Sequence, residues 1–149
     1  MAAVKLIDMQ ITDAKNYGQE AESLLSAEKL PVSDLPPGLD NFLVAVGNNE
    51  VWGVAGLEIY GNYGLLRSLA VKPAFRDQGI AGKLVGEIEK LAQAKGLNAI
   101  YLLTETAPEY FSKKGYIKIT RTSVPAEVMH SSEFSYVCPQ SAIVMQKSL

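Results

Sequence analysis

The sequence predicts an α/β fold: one mixed β-sheet carrying helices on its faces. Three observations lead there. An amphipathic helical stripe at Ile80, Leu84, Ile88 and Leu91 lies between two apolar strand-like runs, 65–71 and 99–103, the pattern of a parallel β-α-β crossover. Two short turns, Gly47-Asn48-Asn49 and Gly61-Asn62-Tyr63-Gly64, separate three strand-like runs, which reads as an antiparallel meander. The chain has 149 residues, 48% apolar and 20% charged, which suits a single globular domain with a sizeable core.

The elements follow in order. Residues 4–10 read as a first strand. Thr12 or Asp13 can cap a helix in which Ala14, Tyr17, Ala21, Leu24 and Leu25 recur at helical spacing, ending near Glu28. The stretch Leu30-Pro31-Val32-Ser33-Asp34-Leu35-Pro36-Pro37-Gly38 breaks regular structure, apart from one turn at Ser33-Asp34-Leu35. Strands follow at 42–46, 51–60 and 65–71. The central helix, widened by Ala81, Val85 and Ala92, closes on Gly96. A strand at 99–103, a short helix at 107–114 stopped by Gly115, and a strand at 116–120 come next. Residues 122–140 read as irregular and 142–147 as a last strand. The predicted order is β-α-β-β-β-α-β-α-β-β.

Composition narrows the function. A net charge of −2 argues against nucleic acid and anionic membranes as partners. No apolar run approaches a bilayer span, and residues 1–10 show no signal-peptide core, so a cytoplasmic protein is expected. The lone cysteine, Cys138, excludes an intrachain disulfide and a cysteine-rich metal site, and no other ligand pattern specifies a metal.

The glycines at the start of the central helix carry the strongest chemical signal. A helix N-terminus presents unpaired amides and partial positive charge, and glycine lets a phosphate come close. Gly79-Ile80-Ala81-Gly82, flanked by Arg76 and Lys83, fits such a cradle. Asp77 and Leu84 stand where a Walker loop needs glycine and Ser or Thr, and the dinucleotide glycine spacing is absent. A tight turn without a ligand is the alternative reading.

Arg76-x-x-Gly79-x-Ala81, after a Leu-Ala-Val-Lys-Pro strand end, resembles the acetyl-CoA pyrophosphate loop of the GNAT superfamily of N-acetyltransferases. The stretch from Thr106 to Ile117 resembles that family's second half. Leu102 to Tyr116 is similar to the GNAT domains of amino-acid acetyltransferases. Leu65 to Val71, together with the segment around Glu133 to Ala142, resembles acetyltransferases associated with arsenic resistance. The resemblance implies the GNAT acyl-CoA N-acyltransferase fold, with its central parallel strands splayed, acetyl-CoA as co-substrate, no metal and a possible homodimer. It implies that coenzyme contacts come from Leu69, Ala70 and Val71, from Arg76, Asp77, Gln78, Gly79, Ile80, Ala81, Gly82 and Lys83, and from Thr104 and Phe111. Main-chain groups near Leu69 and Val71 would hold the pantetheine and polarise the thioester carbonyl.

Two family positions that often move protons are apolar here. The strand glutamate position, six residues before Val71, is Leu65, and the helix tyrosine position, four before Gly115, is Phe111. Glu58 is the candidate base and Tyr110 the candidate acid; the alternatives are an exposed strand carboxylate and a core or surface tyrosine. Arg67 stands in the middle of an apolar strand, where alternation groups it with Leu65, Leu69 and Val71. An arginine there needs a partner: either the acid group of a small amino-acid-like substrate or an internal ion pair with Glu58. His130 and Glu133 are further acceptor-site candidates, with a surface role as the alternative for His130. Trp52, Tyr60 and Tyr63 are candidate cleft or core aromatics, and Ser33 to Asp40 a candidate lid. The expected activity is acetyl transfer to such an amine. A peptide or protein N-acetyltransferase and a non-catalytic acyl-CoA sensor are the alternatives.

Overall fold

The structure is a computed structural model that describes residues 8–132, 134 and 141–149. Its strands and helices are β1 (Gln10–Asp13), α1 (Gly18–Ala27), β2 (Phe42–Gly47), β3 (Glu50–Tyr60), β4 (Tyr63–Val71), α2 (Ile80–Ala94), β5 (Ala99–Thr104), α3 (Pro108–Lys113), β6 (Ile117–Ile119), α4 (Ala126–Met129) and β7 (Ile143–Ser148). The sheet order is β1-β2-β3-β4-β5-β7-β6. No described helix is long and apolar enough to cross a membrane.

The chain groups into two compact units, one of residues up to Leu57 with Ser68–Leu91, the other of Glu58–Arg67 with Ala92–Leu149. In the first, β1 and β2 pair antiparallel, as do β2 and β3. The β2–β3 turn places Asn48 and Asn49 at φ 52° and 59°, the left-handed region that asparagine tolerates and a two-residue hairpin favours. The predicted helical stripe is the buried one: Ala21, Leu24 and Leu25 pack with Phe42, Val44, Val54 and Ala70. Before α1 the chain makes a 3-10 turn, Ala14–Tyr17, capped by Asp13, whose carboxylate accepts from Lys15 N–H at 2.7 Å. Gly53 lets α2 come close; a Cβ there would stand 3.0 Å from Leu84 and 3.3 Å from Ile80. Its neighbour Val54 packs with α1, so the alternation of β3 puts α1 and α2 on opposite faces of the sheet.

The second unit contains the parallel pairing that the crossover predicts: Tyr63, Gly64 and Leu65 of β4 pair with Ala99, Ile100 and Tyr101 of β5. Along its whole length β5 also pairs antiparallel with β7, whose other edge carries β6. Leu65, Tyr101, Val124, Val128, Phe134 and Val144 form the core here.

Four expectations change. The first strand was placed at 4–10, but β1 begins at Gln10; residues 4–7 lie outside those described. The stretch 122–140 holds the short helix α4, too brief to show a period, with residues 133 and 135–140 outside the described set. The alternation of β4 does not run through, because Ser68 has φ 58°; a left-handed residue breaks the two-residue pleat, so Arg67 and Leu69 are no longer a same-face pair by counting. The proposed lid residues are packed rather than free-standing: Leu39 is buried in the α1 core, with Leu30, Val32 and Leu35 against it.

Candidate functional site

In the first unit, β4 ends at Val71 and a 3-10 turn, Pro73–Phe75, leads into the loop before α2. Asp77 and Gly79 take φ 62° and 82°, which turns the backbone through the left-handed region twice in three residues. The first backbone bond of α2 returns from Lys83 N–H to Gly79 O at 3.1 Å, so the amides just before it have no helical acceptor. Among the described residues, a Cβ built on Gly79 meets nothing within 4 Å beyond its chain neighbours. Leu69, Ala70 and Val71 at the strand end are joined to Arg76 through Lys83, in the loop and helix start, by the 3-10 turn Pro73–Phe75. Among them Ile80 is core, whereas Gly79 and Lys83 are exposed.

Arg76, one of the two cations beside the loop, is engaged with protein groups. Its Nη2 pairs with Glu28 Oε1, and its Nε donates to Val71 O at 3.2 Å. Glu28 had no role in the sequence reading; its contact with Arg76 joins residues far apart in the chain, and no local pattern reveals it.

Trp52 belongs to the core. It stacks on Phe75 at 4.4 Å with 15° between the ring planes, and its indole lies over Gly47, where a Cβ would be 2.3 Å away.

The second unit holds the charged cluster. Arg67 is 3% exposed, and its Nη1 lies 3.5 Å from Glu58 Oε2. Glu58 Oε1 accepts from Tyr60 O–H at 3.1 Å. The internal ion pair weighed for these residues is thus present, and Glu58 is no simply solvated strand carboxylate. Leu65 and Phe111, the two apolar replacements, are both buried. Phe111 packs edge-on to Tyr110 and Tyr116 at 5.2 and 5.7 Å.

Thr104 acts locally: its hydroxyl accepts from Ala107 N–H at 3.1 Å, fixing the turn into α3. Tyr110 follows on α3. Its hydroxyl is shielded from solvent and has no partner among the described residues. Burial pushes the Tyr110 phenol above its usual value of 10.0. A protonated phenol kept dry with an unused hydrogen is chemically able to donate it. Tyr60 and Tyr63 lie half-buried against the Leu65 core. His130 is an exposed residue closing α4; Glu133 and Cys138 lie outside the described residues. No group of three metal-ligating side chains occurs among the described residues.

Comparison with known proteins bears on both units. The acetyltransferase (GNAT) domain model matches residues 38–118, which include the meander, the glycine loop and α3. An uncharacterized N-acetyltransferase of Chlorobaculum tepidum is 29% identical over 125 residues, 83% of this chain and 79% of that one. An amino-acid acetyltransferase of Mycobacterium tuberculosis is 33% identical over 89 residues, 58% of this chain and half of its own length. Among solved structures, a Mycobacterium tuberculosis protein in complex with CoA has a TM-score of 0.78 at 23% identity, covering 94% of this chain and 99% of that one. An N-acetylglutamate synthase of Neisseria gonorrhoeae, complexed with coenzyme A and N-acetyl-glutamate, has a TM-score of 0.77 at 16% identity; this chain is covered in full and spans 36% of that protein. With the family model matching more than half of its length and the glycine loop in place, the chain belongs to the GNAT family of acetyl-CoA-dependent N-acetyltransferases.

Proposed function

We propose that the chain, acting as a single domain, transfers the acetyl group of acetyl-CoA to the α-amino group of a small amino-acid-like substrate whose acid group is held by Arg67. The observation that carries this is the buried guanidinium already bound to a carboxylate, that of Glu58. Arginine meets a carboxylate, phosphonate or arsenic oxyacid through the same pair of parallel hydrogen bonds, so exchange of one acid for another is geometrically simple. The amino-acid acetyltransferase of Mycobacterium tuberculosis and the N-acetylglutamate synthase of Neisseria gonorrhoeae support this class of acceptor.

The main-chain amides of the loop hold the diphosphate in this reading, and those near Leu69 and Val71 hold the pantetheine and the thioester oxygen. The amine attacks the thioester carbon, the C–S bond breaks, and the thiolate leaves with the electron pair. Glu58 takes the proton that the amine loses, and Tyr110 offers a proton to the departing sulfur. Little acid or base strength is needed. The thiol has a pKa of roughly 8.5, so its thiolate leaves passably near neutral pH without a strong acid.

A lysine amine, with a pKa of about 10.4, is almost wholly charged at pH 7, and an α-amine, being less basic, is neutral in a larger share, so protonation favours the α-amine. Release of free thiol from acetyl-CoA should accordingly be far faster with pooled amino acids than with a lysine-bearing, N-terminally blocked peptide. Faster turnover of the peptide would refute the acceptor class, and coenzyme binding without turnover on any amine would refute catalysis.

Tyr110→Phe separates a proton donor from a packing residue. It removes a buried hydroxyl that has no partner among the described residues, so thermal stability should stay level or rise. The kcat should drop by about tenfold, less than the roughly 10²–10⁴-fold of general acid catalysis because the thiolate leaves readily. An unchanged kcat assigns Tyr110 to packing alone.

A further inference from the structure

We infer that Glu28 is a positioning residue for the coenzyme loop, acting through Arg76. This rests on acetyl-CoA binding at that loop and adds a residue that neither the loop motif nor the acceptor reading includes. Arg76 makes two contacts at once: Nη2 to Glu28 Oε1 and Nε to Val71 O at 3.2 Å. The guanidinium therefore ties the end of α1 to the end of β4, at the residue where the loop departs. The next residue, Asp77, is a non-glycine in the left-handed region at φ 62°, a conformation with an intrinsic cost that its surroundings must offset.

The other end of the brace is itself anchored. Glu28 N–H bonds Leu24 O at 3.1 Å, and two residues on Leu30 N–H bonds Leu25 O at 2.9 Å, with Leu30 and Val32 packed on the α1 core. The Glu28 carboxylate thus stands on a fixed support, whereas the Arg76 side chain, half exposed, would otherwise sample many rotamers. Holding Arg76 there keeps the loop amides aimed before the ligand arrives, which lowers the ordering cost of binding. Arg76 then serves the diphosphate indirectly, and the amides with Lys83 supply the positive potential.

The sign of one substitution decides. Glu28→Gln removes a negative charge close to an anion site, and Coulomb attraction alone predicts tighter coenzyme binding. The brace predicts weaker binding, by about three- to fivefold, the scale of an exposed ion pair. Calorimetry with CoA and steady-state kinetics provide the readouts. Glu28→Gln should raise the Kd for CoA and the KM for acetyl-CoA together, leaving kcat, the KM for the amine and the Tm unchanged. A merely structural role would move the Tm instead.

Glu20→Gln, which removes the same charge from an exposed turn of α1, should not weaken binding. Arg76→Met should weaken it, and adding Glu28→Gln to that variant should cost nothing further. Tighter or equal binding by Glu28→Gln, or additive losses in the double variant, overturns the inference. Absence of heat with CoA on the unaltered protein would overturn the coenzyme site itself, and is seen before any variant is made.

Discussion

Arg67→Met is expected to lower stability by about 2–4 kcal/mol and to raise the KM for the amine acceptor by about a hundredfold. The two losses have different causes. Stability falls because Glu58 is left in a mostly buried position without its cation, and removing one partner of a buried pair costs more than the pair contributes. The Glu58 side chain is 17% exposed, so water relieves part of that penalty and the estimate lies below the fully buried case. The KM rises because two charge-assisted hydrogen bonds to the substrate acid group vanish; at about 1.5 kcal/mol each, the low end for such bonds because Glu58 competes for the same guanidinium, they account for about a hundredfold. Methionine fills much of the arginine stem's volume, so cavity formation is a minor contribution.

A second variant pulls the two causes apart. Arg67→Met with Glu58→Gln removes both charges and should restore most of the stability, since a neutral pair of similar size carries little desolvation penalty. Acceptor binding should stay impaired, because nothing in the double variant grips a carboxylate. Thermal melts and the KM for the best amino acid check both. Should the double variant recover acceptor binding along with stability, Arg67 is only a structural partner of Glu58, and the acid group of the substrate is held elsewhere.

The fold was legible wherever one face of an element is buried. Ala21, Leu24 and Leu25 specified α1, and Ala14 and Tyr17 of the same stripe fall in the 3-10 turn before it, because all five are in or against one core. The parallel β4–β5 pairing followed from a long helix between two apolar runs, which leaves few other connections. The loop before α2 was legible because Gly79 answers to a backbone requirement, φ 82°, that its residue type announces.

What escaped had no local cause. Ser68 takes φ 58° without being glycine, so no residue type announced the break in β4. Glu28 is one carboxylate among many until α1 and β4 are folded beside each other. The unpartnered hydroxyl of Tyr110 is a property of what surrounds it, and a sequence does not state which groups go unsatisfied.

The other large effect belongs to the loop. Gly79→Val should weaken CoA binding by about 10- to 100-fold while lowering Tm by about 2–12 °C. A side chain at φ 82° is strained by about 1–3 kcal/mol, and for a chain of this size each kcal/mol shifts Tm by roughly 2–4 °C. Strain is the main folding cost, because a Cβ at Gly79 meets nothing within 4 Å among the described residues beyond its chain neighbours. That same empty space is where a phosphate must come to reach the amides, and two methyl groups there hold it off. Losing one amide–phosphate bond, at about 1.5–3 kcal/mol, gives the expected range.

Gly96→Val is the matched control. Gly96, just after the end of α2, also has positive φ, 73°, and also has nothing within 4 Å of a built Cβ. It should lose about the same Tm, with its CoA affinity unchanged. If calorimetry finds the two variants equally impaired, backbone strain alone explains the loss. If neither is impaired, the coenzyme does not approach the backbone at Gly79, and that glycine serves only to turn the chain into α2.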